Sequence, residues 1–283
     1  MGTEKTLFVE GYIGEQGWEL YCWQGFIRRL AKRFDRVIVM CRTGHDALYA
    51  DFATEIVHHD PQLENTDMWK NHGEPDNHHF DQYYAAGIPQ LTVVHNDSYQ
   101  TRWWNDPSWN TQQDFIRYGK CDRPKAGGVA ILLHVRHTAK CNTAFRNWPR
   151  SHAQQVADAL MSQGLRVACV GREGSALTLD GAIDLRDYPL SVLTDMMRQS
   201  LLLVGPQSFP AHLATLCDLP CLCWQTKLEH ATRIQTRWNP FNVWVETIPA
   251  PTDNYWKDRR MWLPPVKAVL DRINQMLDKG VKS

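Results

Sequence analysis

The 283-residue sequence has no excess of charge of either sign: Lys and Arg number 31, and so do Asp and Glu. Global charge therefore announces no polyanionic partner, although a local basic patch would suffice for one. Nowhere does an apolar run approach the ~18 residues of a membrane-spanning helix, and the N-terminus, MGTEKTLFVEGYIG, has no stretch of signal-peptide length. No membrane span is expected. None of the eight cysteines (Cys22, Cys41, Cys121, Cys141, Cys169, Cys217, Cys221 and Cys223) has a partner at C-x-x-C spacing, so they read as buried, reduced thiols of a cytoplasmic protein. Internal repeats and low-complexity tracts are absent. Apolar residues are plentiful at 43%, which excludes disorder and is ample for two α/β cores in a chain of this length.

The apolar runs alternate with helical patterns. Thr6–Val9, Arg36–Cys41, Glu55–His58 and Gln90–Val94 read as strands. Trp18–Phe34 and His45–Phe52 read as helices, and the polar stretch Asp60–His79 as a long loop. Lys, Pro and Gly cluster without periodicity over Gly119–Gly128, which marks an interdomain linker. A second series follows. Its strands are Val129–Val135, Leu165–Gly171, Ala182–Leu185, Leu201–Val204 and Cys221–Trp224. Its helices are Pro149–Gln163, Leu190–Ser200, Phe209–Leu216 and, at the end, Val266–Leu277. The reading is α/β: two doubly wound, Rossmann-like parallel-sheet domains facing a cleft, over residues 1–122 and 128–262. The terminal helix, 263–283, is expected to pack back on the N-terminal domain. Ligands in such sheets sit at the carboxyl ends of the strands.

One such strand end is LLLVGPQSFPAHLA, Leu201–Ala214. A strand runs into Gly205-Pro206-Gln207-Ser208, with Ser208 placed as N-cap and Pro210 in the first helical turn. A helix N-terminus there suits a diphosphate. Val204–Leu213 resembles the signature V-G-x-D-[ST]-G-x-x-H-L of the heptosyltransferase-like glycosyltransferases, a GT-B family similar to glycosyltransferase family 9. Ser208 and His212 match; Gln207 stands where Asp is usual and Phe209 where Gly is usual. A second match is Arg146-Asn147-Trp148-Pro149, where the family has a basic residue that contacts donor phosphate. The third is Ile13-Gly14-Glu15, in the place of a strand-following G-D loop whose Asp is the family's base. The resemblance covers most of Val129–Trp224 and this N-terminal piece; Asp60–Thr111 match nothing.

The resemblance implies an inverting, metal-independent transfer of a sugar from a nucleotide-diphosphate donor, with that nucleotide sugar as co-substrate and no other cofactor. Glu15 stands for the base, with Glu10 and Glu19 as rivals; Glu19 lies one helical turn beyond Glu15. Arg146, Gln207, Ser208 and His212 would hold the donor. Gly171-Arg172 after a strand end, Asp184 and Arg237 are further donor candidates. Gly14 and Gly17, with Trp103 and Trp104 in the polar-aromatic stretch Tyr99–Trp109, are candidates for acceptor contact, since aromatic faces stack on sugars and bases. His58, His59, His72, His78 and His79, with Asp60 and Asp76, fit no tight tetrahedral spacing, and no D-x-D stands at a strand end, so no metal is expected. The acceptor stays open. It is either a saccharide or a hydroxymethylated DNA base, the latter as for phage DNA glycosyltransferases in a host cytoplasm. The basic run Arg28, Arg29, Lys32 and Arg33 bears on DNA. Two other classes share the fold: a nucleotide-sugar epimerase, and a non-catalytic nucleotide-sugar binding protein.

Overall fold

Alternating apolar strands and helices build two parallel sheets. The computed structural model describes residues 4–12, 16–59, 87–88, 90–95, 109–119, 128–139, 144–226, 228–252, 254–258 and 260–281. The chain divides into two units: Met1–Ile116 with Pro189–Ser191, and Arg117–Tyr188 with Val192–Ser283. The division comes a few residues before the expected linker. Tyr118 N–H donates to the Leu216 carbonyl, and Arg117 pairs with Asp218 at 3.0 Å, which ties this stretch to the second unit. Among the described residues, no helix is long and apolar enough to cross a membrane.

The first unit holds a four-stranded sheet in the order β3-β2-β1-β4, with β1 Thr6–Val9, β2 Arg36–Arg42, β3 Glu55–His59 and β4 Leu91–Val94. All its pairings are parallel. Leu7, Phe8 and Val9 are fully buried, as are Ile38 and Val39. That is why both strands read as unbroken apolar runs. The predicted long helix begins as α1 (Gln16–Trp18), widens to a π-helical stretch (Glu19–Trp23) and continues as α2 (Gln24–Ala31). The expected helix over His45–Phe52 is only a 3-10 turn, Asp46–Leu48. Helical geometry lapses at Tyr49 (φ −131°), whose carbonyl starts a separate turn to Phe52 and Ala53, while the Arg28 guanidinium takes the Leu48 carbonyl at 2.7 Å and the Asp51 carboxylate at 2.9 Å.

The second unit holds six parallel strands: β5 Ile131–Leu133, β6 Val167–Gly171, β7 Ile183–Arg186, β8 Leu202–Pro206, β9 Cys221–Gln225 and β10 Val245–Pro249. Their spatial order is β7-β6-β5-β8-β9-β10. The chain therefore works outward from β5 on one side, returns, and works outward on the other, which makes β5/β8 the topological switch point. Helices α3 (Arg150–Ser162), α4 (Leu190–Gln199), α5 (Phe209–Leu216), α6 (Leu228–Gln235), α7 (Asn254–Lys257) and α8 (Val266–Val281) complete the alternation.

The terminal helix belongs to the second unit. Val269, Ile273 and Met276 enter the core of the second unit together with Val156, Leu160, Trp148 and Trp224. The rings of Trp148 and Trp224 meet edge to face, with centroids 4.7 Å apart. Removing three methyl equivalents from that core leaves a void the fixed sheet cannot close. Ile273→Ala is expected to cost about 2–5 kcal/mol of stability in urea unfolding. A change near zero would mean that α8 is not part of the core.

Candidate functional site

Three neighbouring strands of the second sheet, β5, β8 and β9, each end in a buried polar side chain: His134, Gln207 and Thr226. Each is only 4% exposed. Among the described residues, His134 Nε2, Gln207 Nε2 and Thr226 Oγ1 have no hydrogen-bond partner. Buried polar atoms of this kind are costly and uncommon in a folded protein, and a cluster of them at one sheet edge needs a physical reason. The edge is the carboxyl end of a doubly wound sheet at its switch point, where ligands of such sheets bind.

The chain is built to bring these groups close. A Cβ at Gly205 would lie 2.7 Å from the His134 carbonyl oxygen, and one at Gly171 would meet Ala176 at 2.5 Å and His134 Nδ1 at 3.1 Å. Gly171 also has φ +137°, which side chains rarely adopt. Both glycines thus let β6 and β8 close around His134. The His134 ring donates from Nδ1 to the Val170 carbonyl at 3.0 Å. A carbonyl only accepts, so the proton sits on Nδ1 and Nε2 carries a lone pair. Burial first, with Arg136 adding, pushes the ring down to about 4, so it is neutral near pH 7.

Beside this edge, α5 starts at Phe209 with Ser208 extended (φ −164°). Ser208 stands at the N-cap, as expected, but its side chain makes no cap hydrogen bond; its carbonyl accepts from Ala211 and His212. His212 is buried, and its ring packs edge to face on Trp238 with centroids 4.7 Å apart. Burial first, then the charges of Arg233, Arg146 and His230, hold His212 well below its ordinary value. The structure thus brings Arg146, on the short helical turn Ala144–Arg146, into electrostatic reach of His212. Asn147 fixes that turn: its Oδ1 accepts from Arg136 at 2.9 Å and from the Thr138 N–H at 3.0 Å, and its Nδ2 donates to the Thr138 carbonyl at 2.9 Å.

The remaining expectations divide. Arg172 is exposed in a tight turn whose carbonyl accepts from Ser175 and Ala176. Asp184 lies on β7, at the outer edge of the sheet, and its carboxylate is clasped by Arg186 at 2.8 Å and 2.9 Å, an interaction that holds it below the usual carboxylate range. Arg237 is exposed, whereas Arg233, which the sequence reading passed over, stacks its guanidinium 3.9 Å from the Trp238 ring and acts on His212. His134, Thr226, His230 and Arg233 were all missed. For His134 and Thr226 the signal was there: each is a polar residue closing an apolar run at the carboxyl edge.

In the first unit, Glu19 is fully buried. Its carboxylate accepts from His45 Nδ1 at 2.8 Å and from the Tyr49 hydroxyl at 2.8 Å. Burial alone would raise this carboxyl, but His45, Arg42 and Tyr49 together hold it below the usual range. His45 and Tyr49 thus engage both oxygens of Glu19, one of the two residues expected to supply the base, and the carboxylate in turn holds the His45 ring. Glu10 is nearly buried and pairs with His95 at 3.3 Å. Gly17 lies in α1. Gly14, Glu15, Trp103 and Trp104 lie outside the described residues, as do Asp60, His72, Asp76, His78 and His79. Three residues of the basic run have partners within this unit: Arg28 on Asp51, Lys32 on Asp114 at 2.8 Å, and Arg29 on the Thr111 carbonyl. The six described cysteines are buried and form no disulfide with one another.

No protein-family model and no curated protein matches the sequence. Solved structures do match in fold. The glycosyl transferase family 9 protein of Veillonella parvula DSM 2008 is similar with a TM-score of 0.65 at 11% identity, with 99% of each chain covered. The E. coli ADP-heptose lps heptosyltransferase II gives 0.58 at 13% identity, over 97% of this chain and 99% of that one. The iron-containing dodecameric glycosyltransferase TibC of enterotoxigenic E. coli H10407 gives 0.56 at 12% identity, over all of this chain and 77% of that one. The chain has the fold of a family 9 glycosyltransferase. In that fold, His134, Gln207 and Thr226 sit on strand ends of the second Rossmann-like unit.

His134 makes the site's protonation measurable. Above pH 6.5 the ring is neutral in folded and unfolded chain alike. As the pH falls toward about 4, the unfolded chain takes up a proton that the folded one refuses, so stability drops, by on the order of 3 kcal/mol for this ring. His212 adds to the same slope. Urea unfolding across this window is expected to be less steep in pH for His134→Asn than for the parent; an unchanged slope would show that the ring is not held neutral.

Proposed function

We propose that the chain is an inverting glycosyltransferase that moves a sugar from a nucleoside-diphosphate donor to a saccharide hydroxyl. The observation that carries this reading is the set of buried, unpartnered hydrogen-bonding atoms on His134, Gln207 and Thr226 at the switch point, next to the start of α5 and the Arg146–Arg233–His212 group. The chemistry on offer is what a sugar diphosphate requires. Arg146 and the N-terminal end of α5 meet the phosphate charge, in place of a metal. His134 Nε2, a lone-pair acceptor, takes a hydrogen bond from a donor hydroxyl or N–H. Gln207 Nε2 donates, and Thr226 Oγ1 does either.

The reaction is a single displacement. The acceptor oxygen attacks the anomeric carbon as the carbon–oxygen bond to the diphosphate breaks, and the electron pair leaves on the nucleoside diphosphate. Arg146 and the helix terminus stabilise that developing charge. The acceptor's proton goes to Glu15, the residue that matches the base position of the resembling family. An ADP-linked heptose is the first donor to test, because TibC is described in complex with ADP-D-beta-D-heptose and another neighbour as an ADP-heptose lps heptosyltransferase. The acceptor is a saccharide rather than DNA, because three of the four residues of the basic run that would favour DNA, Arg28, Arg29 and Lys32, have partners inside their own unit.

A nucleotide-sugar donor present at a hundred times its Kd is expected to add about 2.7 kcal/mol to stability in a thermal-shift series. Arg146→Ala should weaken that donor by about 1.5–3 kcal/mol. Glu15→Gln should leave donor binding intact and lower turnover by a factor of about 10²–10⁴. Product from donor alone would instead identify an epimerase, and donor binding without any turnover would identify a binding protein. No shift with any nucleotide sugar would sink the proposal.

A further inference from the structure

The first unit carries a second cluster of chemistry-bearing side chains, apart from Glu19 and His45. Cys41 and His58 are register partners on the adjacent parallel strands β2 and β3, so their side chains leave the same face of the sheet. Asp46 opens the 3-10 turn that follows β2. The Cys41 sulfur, an Asp46 carboxylate oxygen and a His58 ring nitrogen all lie within 4.8 Å of one another. His58 Nε2 and Asp46 Oδ1 are already in contact at 2.6 Å.

We infer that Cys41, Asp46 and His58 form a binding site for one thiophilic divalent transition-metal ion of the Zn²⁺ or Fe²⁺ type. The inference does not rest on the transferase reading. Three features support it. First, the donor set is mixed: thiolate, imidazole nitrogen and carboxylate oxygen. Hard cations such as Mg²⁺ and Ca²⁺ take oxygen ligands and gain nothing from a thiol, whereas borderline ions take all three. Second, the charge balances. A thiolate and a carboxylate neutralise a divalent ion, and the imidazole binds neutral. On binding, the Cys41 sulfur exchanges its proton for the metal and the proton goes to solvent. Third, the spacing is close to what an ion needs. Bonds of about 2.0–2.3 Å place tetrahedral ligand atoms roughly 3.3–3.8 Å apart. The His58–Asp46 contact must open by under about 1 Å, and both side chains are roughly half exposed, so they are free to do so.

The burial pattern says how the ion would sit. Cys41 is 1% exposed and forms the floor, while Asp46 and His58 lie on the solvent side. Three protein ligands leave a fourth position for water or a ligand heteroatom, the arrangement of an open site rather than a closed structural one. The sequence reading looked for metal in the His- and Asp-rich loop and at regular spacing. Here the ligands are 5 and 12 residues apart in sequence, and only the pairing of β2 with β3 brings them together.

The test uses the full chain stripped of metal and titrated with Co²⁺, which reports sulfur ligation through a near-ultraviolet thiolate-to-cobalt band. The expected result is one equivalent bound with that band present, and competition by Zn²⁺. His58→Ala and Asp46→Asn, both at exposed positions, should each weaken Co²⁺ binding at least about tenfold, while metal-free thermal midpoints stay at the parent value. Cys41→Ser should abolish the near-ultraviolet band; if that variant does not fold, the two exposed variants decide. No stoichiometric Co²⁺ binding, a spectrum without sulfur character, or unchanged affinity in both His58→Ala and Asp46→Asn would each overturn the assignment.

Discussion

Position 205 has no room for a side chain. A Cβ there would sit 2.7 Å from the backbone oxygen of His134. The second unit depends on that closeness, because β5 and β8 are the two strands at which the chain reverses its direction of travel across the sheet. Their parallel pairing, Leu133 on Val204, brings His134 and Gln207, the residues that follow the two strands, to one edge. The start of α5 and the turn that carries Arg146 follow from the same edge. A larger residue at 205 would not merely crowd the site; it would separate the two strands that create it.

The two units handle buried charge differently. In the first, Glu19 is kept ionised by enclosing it with His45, Tyr49 and the charge of Arg42, so that a carboxylate with no exposure still has its partners. In the second, His134 and His212 are kept neutral by burial and by neighbouring cations. The first arrangement stiffens a scaffold, since every polar atom in it is engaged. The second leaves hydrogen-bonding capacity open at a sheet edge, which stabilises nothing in the isolated chain and becomes useful only when something binds.

Much of this was legible in the sequence where local rules apply. Thr6–Val9 and Phe209–Leu216 were read to the residue, because an apolar parallel strand and a Pro-started helix carry strong local signals. The sixth strand of the second sheet, Val245–Pro249, was missed because its proline and half-exposed residues are those of an edge. The helix expected over His45–Phe52 lapses at Tyr49, while Arg28, some 20 residues earlier, takes the Leu48 carbonyl. The site was half legible. Arg146 and His212 were paired through a family pattern, and the structure places them in electrostatic reach. His134 was read as the tail of a strand. Its role shows only when Gly171 and Gly205 arrive from two later strands, and the burial of Glu19 likewise depends on partners 26 and 30 residues away.

The fixed proton on His134 gives the sheet edge a direction. Because Nδ1–H is committed to Val170, the atom facing the other way offers a lone pair and nothing else. It rewards a hydroxyl or an N–H and repels a bare phosphate oxygen or a carbonyl, so a ligand placed there the wrong way round meets two acceptors facing each other. Since the ring takes up a proton only near pH 4, that polarity holds unchanged across the neutral range. One imidazole, set by one backbone carbonyl, thereby acts as a filter on ligand orientation that does not respond to the acidity around it.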